Sequence, residues 1–68
     1  MDKDTYIKAS EHFKTGERHL RKSWYPEARA EFKQIILLYD KQEHQPDIYF
    51  LAREKLTEIN NALNKRRI

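Results

Sequence analysis

One glycine, Gly16, and two prolines, Pro26 and Pro46, supply almost all the turn chemistry in this chain of 68 residues. Hairpins need a glycine, asparagine or proline signal every few residues, so a β architecture is excluded at the outset. Valine is absent, and Lys, Glu, Arg, Leu, Ala and Gln fill most of the sequence. These are the residues that lose least on entering a helix. The expected class is all-α, in one domain over residues 1–68.

Two breaks divide the chain. In Lys22-Ser23-Trp24-Tyr25-Pro26, Ser23 is placed to cap a new helix, and Pro26 is tolerated only in that helix's first turn. In the polar run Gln42-Glu43-His44-Gln45-Pro46-Asp47, Pro46 and Asp47 open the next helix, with the Asp47 carboxylate favourable at its N-terminal dipole. The spacing predicts helices over about 4–22, 24–41 and 46–65.

At about 100° per residue, Tyr6, Ala9, Phe13, Gly16 and Leu20 form a narrow stripe on the first helix. A stripe of that width suits one neighbour. On the second helix, Trp24, Tyr25, Ala28, Phe32, Ile35, Ile36, Leu38 and Tyr39 cover close to half the circumference. On the third, Ile48, Tyr49, Leu51, Ala52, Leu56, Ile59, Ala62 and Leu63 do the same. A wide arc implies more than one partner helix, which puts the middle helix at the centre. Ile7, Leu37 and Phe50 fall off these arcs, and of the three Phe50 carries the largest apolar area to leave wet.

The stretch from Gly16 to Phe32, with Tyr25-Pro-Glu-Ala28 opening its second helix, resembles a tetratricopeptide repeat. In that family an alanine follows the glycine by twelve residues and an aromatic follows the alanine by four, as Ala28 and Phe32 do here. The resemblance implies an antiparallel hairpin whose helices cross closely at Gly16, Ala28 and Phe32, with the third helix as a cap on its open side. It covers about 32 residues. The sequence departs from the pattern at His12, Thr15 and His19, where the family is bulky, and at Asp40, where it has a closing proline. The family's peptide-carboxylate clamp is not expected, because the matching positions hold Phe13 and Glu17. A three-helix microtubule-interacting and trafficking domain, similar in length and in its Tyr-x-Glu-Ala-like second helix, is the alternative resemblance.

Little chemistry is legible. The absence of cysteine removes disulfides, thiolate metal sites and a cysteine nucleophile. His12 and His19 lie seven apart, about 10.5 Å along a helix, too far to share a metal ion. They read as half-exposed packing residues, and His44 as a solvated loop residue. There is no Gly-rich phosphate loop, no Gly-x-Ser-x-Gly and no His-Glu-x-x-His. Glu11, Glu17, Glu27, Glu31, Glu54 and Glu58 alternate with cations as on ordinary solvated faces. No catalytic, cofactor or metal residues are therefore assigned, and an enzyme is not expected.

Fourteen Lys and Arg against eleven Asp and Glu give a net charge of +3, a weak nucleic-acid signal. Arg18, Arg21 and Lys22 close the first helix, and Lys65, Arg66 and Arg67 close the third; both clusters complement a helix dipole. They form one basic patch if the two helices run parallel. No apolar run reaches the ~18–20 residues of a membrane span, and Met1-Asp2-Lys3-Asp4 does not open a signal peptide. These features make a soluble, cytoplasmic-type domain the expectation, and the start at Met1 and the polar end argue for a complete chain. The expected function is protein–protein interaction, as an adaptor or a self-associating module, with Ile7, Ile36, Leu37 and Phe50 as the partner surface and a homodimer as the favoured state. Binding of nucleic acid or an acidic surface through the basic helix ends is the alternative. A designed or isolated single repeat without ligand is a third.

Overall fold

The computed structural model describes residues 3–65, which form three helices in the order α1 (Lys3–Arg21), α2 (Tyr25–Tyr39) and α3 (Asp47–Lys65). Charge placement suits each helix. Asp4, Glu27 and Asp47 lie in first turns, while Arg18, His19 and Arg21 lie in the last turn of α1 and Lys65 in that of α3. Pro26 opens α2, where its missing N–H costs nothing. No helix among the described residues is long and apolar enough to cross a membrane.

The α1–α2 turn is built differently from the sequence expectation. Ser23 does not cap α2. It adopts φ 61° and closes α1 instead. Trp24 N–H donates to the His19 carbonyl at 2.9 Å, and Ser23 N–H to the Leu20 carbonyl at 2.9 Å. This is the paired bonding of a Schellman helix end, with a serine in the left-handed position that glycine usually fills. Trp24 then serves as the N-cap of α2 without a side-chain cap bond, and its carbonyl accepts from Ala28 N–H at 2.9 Å. In the second connection, Gln45 Nε2 donates to the Gln42 carbonyl at 2.7 Å and reaches that of Tyr39 at 3.4 Å. Gln45 thus bonds a carbonyl of the connection itself and adds a longer contact to that of Tyr39, which also accepts from Gln42 N–H at 3.1 Å.

The chain reverses at each connection, so α1 and α3 run the same way on either side of α2. The packing of α2 is divided between them, and α1 and α3 barely touch each other. A closed bundle of three helices would have two nearly equal short dimensions; here they are 21 and 14 Å. The radius of gyration is 12.3 Å, against about 11 Å for a compact chain of this length. The cross-section is an open V with α2 at the vertex.

The core follows from that geometry. Ala9 and Gly16 of α1, Ala28, Phe32, Ile35 and Tyr39 of α2, and Ala52 and Ile59 of α3 are buried. Phe13, Leu20, Tyr25, Ile36, Leu38, Ile48, Tyr49, Leu56 and Leu63 pack against them. Three residues placed on the apolar arcs by sequence are not in the core: Tyr6 is 53% exposed, Trp24 46% and Leu51 47%. Tyr6 and Leu51 stay open because α1 and α3 do not close on each other. Trp24 stays open because it belongs to the turn.

Candidate functional site

Gly16 lies against the ring of Phe32: a Cβ at residue 16 would sit 2.8 Å from Phe32 Cε2 and Cζ. Gly16, Ala28 and Phe32 are all buried, but the atoms nearest the glycine belong to the ring rather than to Ala28. Phe13 meets the same ring edge-on, with centroids 5.3 Å apart and planes at 77°. The close approach of α1 and α2 is therefore a cluster of Gly16, Phe32 and Phe13.

On the outer side of the same seam, His12 Nδ1 donates to Glu31 Oε1 at 2.7 Å. A carboxylate only accepts, so the proton must sit on Nδ1. Glu31 is thus half-buried and paired, not a solvated face residue as its sequence context reads. The interhelical distance that makes the pair is invisible to local spacing, because the partners lie nineteen residues apart. His19 packs its ring on Trp24, with centroids 5.5 Å apart and planes at 31°. Its Nδ1 is buried without a hydrogen-bond partner. Lys22 Nζ lies over the Trp24 ring, 4.7 Å from its centroid. His44 is exposed in the second connection.

The four residues expected to form a partner surface do not come together. Ile7, Leu37 and Phe50 are 53%, 66% and 49% exposed, but each lies about 170° round its own helix from that helix's buried residues. They diverge from three different helices. Ile36 is half-buried against the core. Only Ile36 and Leu37 share a feature, an open depression of about 460 Å³ lined with Ala30, Lys33, Gln34 and Leu56 on the outer face of the α2–α3 seam. Phe50 has a neighbour in Tyr49, whose ring meets it edge-on at 5.3 Å.

A different set does share a face. His12–Glu31 and the Ile36–Leu56 depression fix which flank of α1 and of α3 lies on the outer side of the V. At about 100° per residue, the opposite flanks carry Tyr6 and Phe13 on α1 and Ile48 and Leu51 on α3. All four border the open side. The sequence did carry a signal for this. The arc of α3 is wide enough for two neighbours, and in the structure α3 has one.

Of the basic residues, Arg18, Arg21 and Lys22 lie at the end of α1 and Lys65 at the end of α3, on the same end of the molecule. Lys22 is engaged with Trp24. Arg66 and Arg67 lie outside the described residues. A second open depression, about 690 Å³, is lined by Arg29, Asn60, Leu63 and Asn64. Among the described residues no group of three or more His, Asp or Glu is placed to hold a metal ion.

Comparison with protein families, with curated proteins and with solved structures found no match to this chain. The fold itself therefore defines the class: a helical protein of three helices, open along one side.

Proposed function

We propose that the chain is a non-catalytic protein-interaction module, a tetratricopeptide-like hairpin with a third helix laid along α2. The reading rests chiefly on one observation. The apolar stripe of α1 and the wide arc of α3 remain partly uncovered, with Tyr6 and Leu51 about half exposed beside Phe13 and Ile48. Apolar side chains gathered on one face are the usual mark of a surface that meets another protein. Single exposed residues such as Ile7 need no such explanation.

The test is complex formation measured at low and at high salt. Contact through an apolar face is retained as salt rises, whereas contact through the basic helix ends is lost steeply. A complex with protein, formed by the wild type at both salts and weakened by Leu51→Lys, supports the reading. A wild-type chain that forms no complex with itself or with any protein overturns it. Salt-sensitive binding to oligonucleotide alone transfers the function to Arg18, Arg21, Lys22 and Lys65.

A further inference from the structure

We infer that the outer face of the α2–α3 seam is a groove for an acidic amphipathic segment of a partner protein. This is a second surface, distinct from the open side and independent of it.

The groove follows from the register of two antiparallel helices. The depression of about 690 Å³ sets Arg29 of α2 against Asn60 and Asn64 of α3. The depression of about 460 Å³ sets Lys33 and Leu37 of α2 against Leu56 of α3. Arg29, Lys33 and Leu37 are spaced four apart, and so are Leu56, Asn60 and Asn64. Residues at that spacing share one side of a helix, so each helix lends one continuous rim. The two depressions thus succeed each other along one seam. From Arg29 to Leu37 is about 12 Å. One end of the groove is cationic and lined with amides; the other is apolar.

Charge names the occupant. No Asp or Glu lines either depression, and none stands three or four residues from Arg29 or Lys33 along α2. Asp40, at the end of α2, lies outside the lining. Neither cation has an ion pair among the described residues. Two such cations one turn apart, with the Asn60 and Asn64 amides as further donors, are complementary to carboxylates, which a guanidinium binds through paired hydrogen bonds. Side chains of Asp or Glu fit better than a chain end, because both depressions are open and successive cations take successive acids. The apolar end selects protein over nucleic acid. Leu37 is 66% exposed and adjoins Ile36 and Leu56, and a phosphate backbone has nothing apolar to lay against them. A helix carrying apolar side chains about two turns from a pair of acids matches both ends at once.

NMR titration with a synthetic helical peptide tests the inference, its binding face bearing two leucines two turns from two glutamates. The backbone amides of Arg29, Lys33, Leu37, Leu56, Asn60 and Asn64 are expected to shift, with a dissociation constant below about 1 mM. Arg29→Gln, Lys33→Gln and Leu37→Ser are each expected to weaken binding roughly fivefold or more. All three side chains are exposed, so helicity is expected to be unchanged. Leu51→Lys, on the open side, is expected to leave the peptide bound. The loss in Arg29→Gln should narrow at high salt, where its charge is screened in the wild type as well. Absence of binding up to about 1 mM overturns the inference, as does equal binding of a peptide whose glutamates are replaced by glutamine. Binding lost in Leu51→Lys and kept in Arg29→Gln overturns the placement. Tighter binding of an oligonucleotide through the same residues overturns the class of partner. None of these outcomes decides whether the open side forms a complex, which Leu51→Lys tests separately.

Discussion

The ring of Phe32 occupies the volume that a side chain at Gly16 would need. A Cβ there would lie 2.8 Å from two ring carbons and 3.1 Å from a third, closer than nonbonded carbons settle. Phe32 is fully buried and Phe13 meets it edge-on, so any shift of the ring has to be taken up by the surrounding core. Glycine within a helix costs roughly 1 kcal/mol against alanine. The approach of α1 to α2 has to outweigh that.

Gly16→Ala sets the gain in helix propensity against overpacking of the ring. The expected result is a net destabilisation of about 1 kcal/mol, and Gly16→Leu loses more. In a Phe32→Leu background, where the ring is gone, Gly16→Ala should cost less or turn stabilising. Denaturant midpoints of the four proteins measure this coupling. Additive effects would show that the two residues do not compete for the same space.

Ser23 sits at φ 61°, a conformation that L-residues other than glycine and asparagine adopt at a cost of about 1–2 kcal/mol. The helix end needs only the backbone there. Ser23→Gly is expected to raise stability by roughly 0.5–1 kcal/mol, and Ser23→Val to lower it. An unchanged or lower thermal midpoint in Ser23→Gly would mean that the hydroxyl does work that the backbone bonding does not explain.

His19 offers the opposite case, a polar atom enclosed with nothing to bond. Its ring stacks on Trp24, yet Nδ1 is buried and unpaired. Phenylalanine keeps the ring and removes the orphan nitrogen. His19→Phe is expected to stabilise by about 1 kcal/mol, the order of the penalty for an unsatisfied buried group. Loss of stability on this change would show that the nitrogen has a partner in solution.

For His12 and Glu31, a double-mutant cycle is the direct measure. The hydrogen bond is short, but both side chains are about a third exposed, at 35% and 28%. Solvent at that exposure limits the coupling to about 0.5–1 kcal/mol. Changing both residues to alanine should therefore cost little more than changing either one alone. A coupling of zero would assign the contact to the surface alone.

The basic helix ends are expected to bind nucleic acid weakly, no tighter than ~10⁻⁴–10⁻⁶ M at physiological salt. Arg18 and Arg21 already complement the end of α1, and Lys22 lies over Trp24. Fluorescence titration with a short oligonucleotide checks this. Sub-micromolar affinity that falls steeply with salt would reverse the ranking of the two surfaces.

Helix class and positions were legible because they depend on local chemistry. The predicted spans of about 4–22, 24–41 and 46–65 differ from Lys3–Arg21, Tyr25–Tyr39 and Asp47–Lys65 by one or two residues at their ends. Pro26 and Pro46 marked both breaks. The role of Ser23 was not legible, because a serine before a proline reads equally as the start of one helix or the end of another. Nor was the exposure of Tyr6 and Leu51. A helical wheel shows which side of a helix is apolar, and it cannot show whether a neighbour reaches that side. The Glu31 pairing was hidden for the same reason, since it depends on how α1 lies across α2.

The position of α2 between two helices that barely touch each other has a kinetic consequence. Nearly all the tertiary packing joins helices adjacent in the chain, across connections of three and seven residues. Loop closure is then a small part of the barrier, and no distant segments have to find each other before the core can form. Such a chain belongs with the fast-folding helical proteins, whose relaxation falls in the microsecond to millisecond range. The same arrangement lets either outer helix leave α2 without dislodging the other, so opening can begin at one end of the sequence while the remaining pair holds.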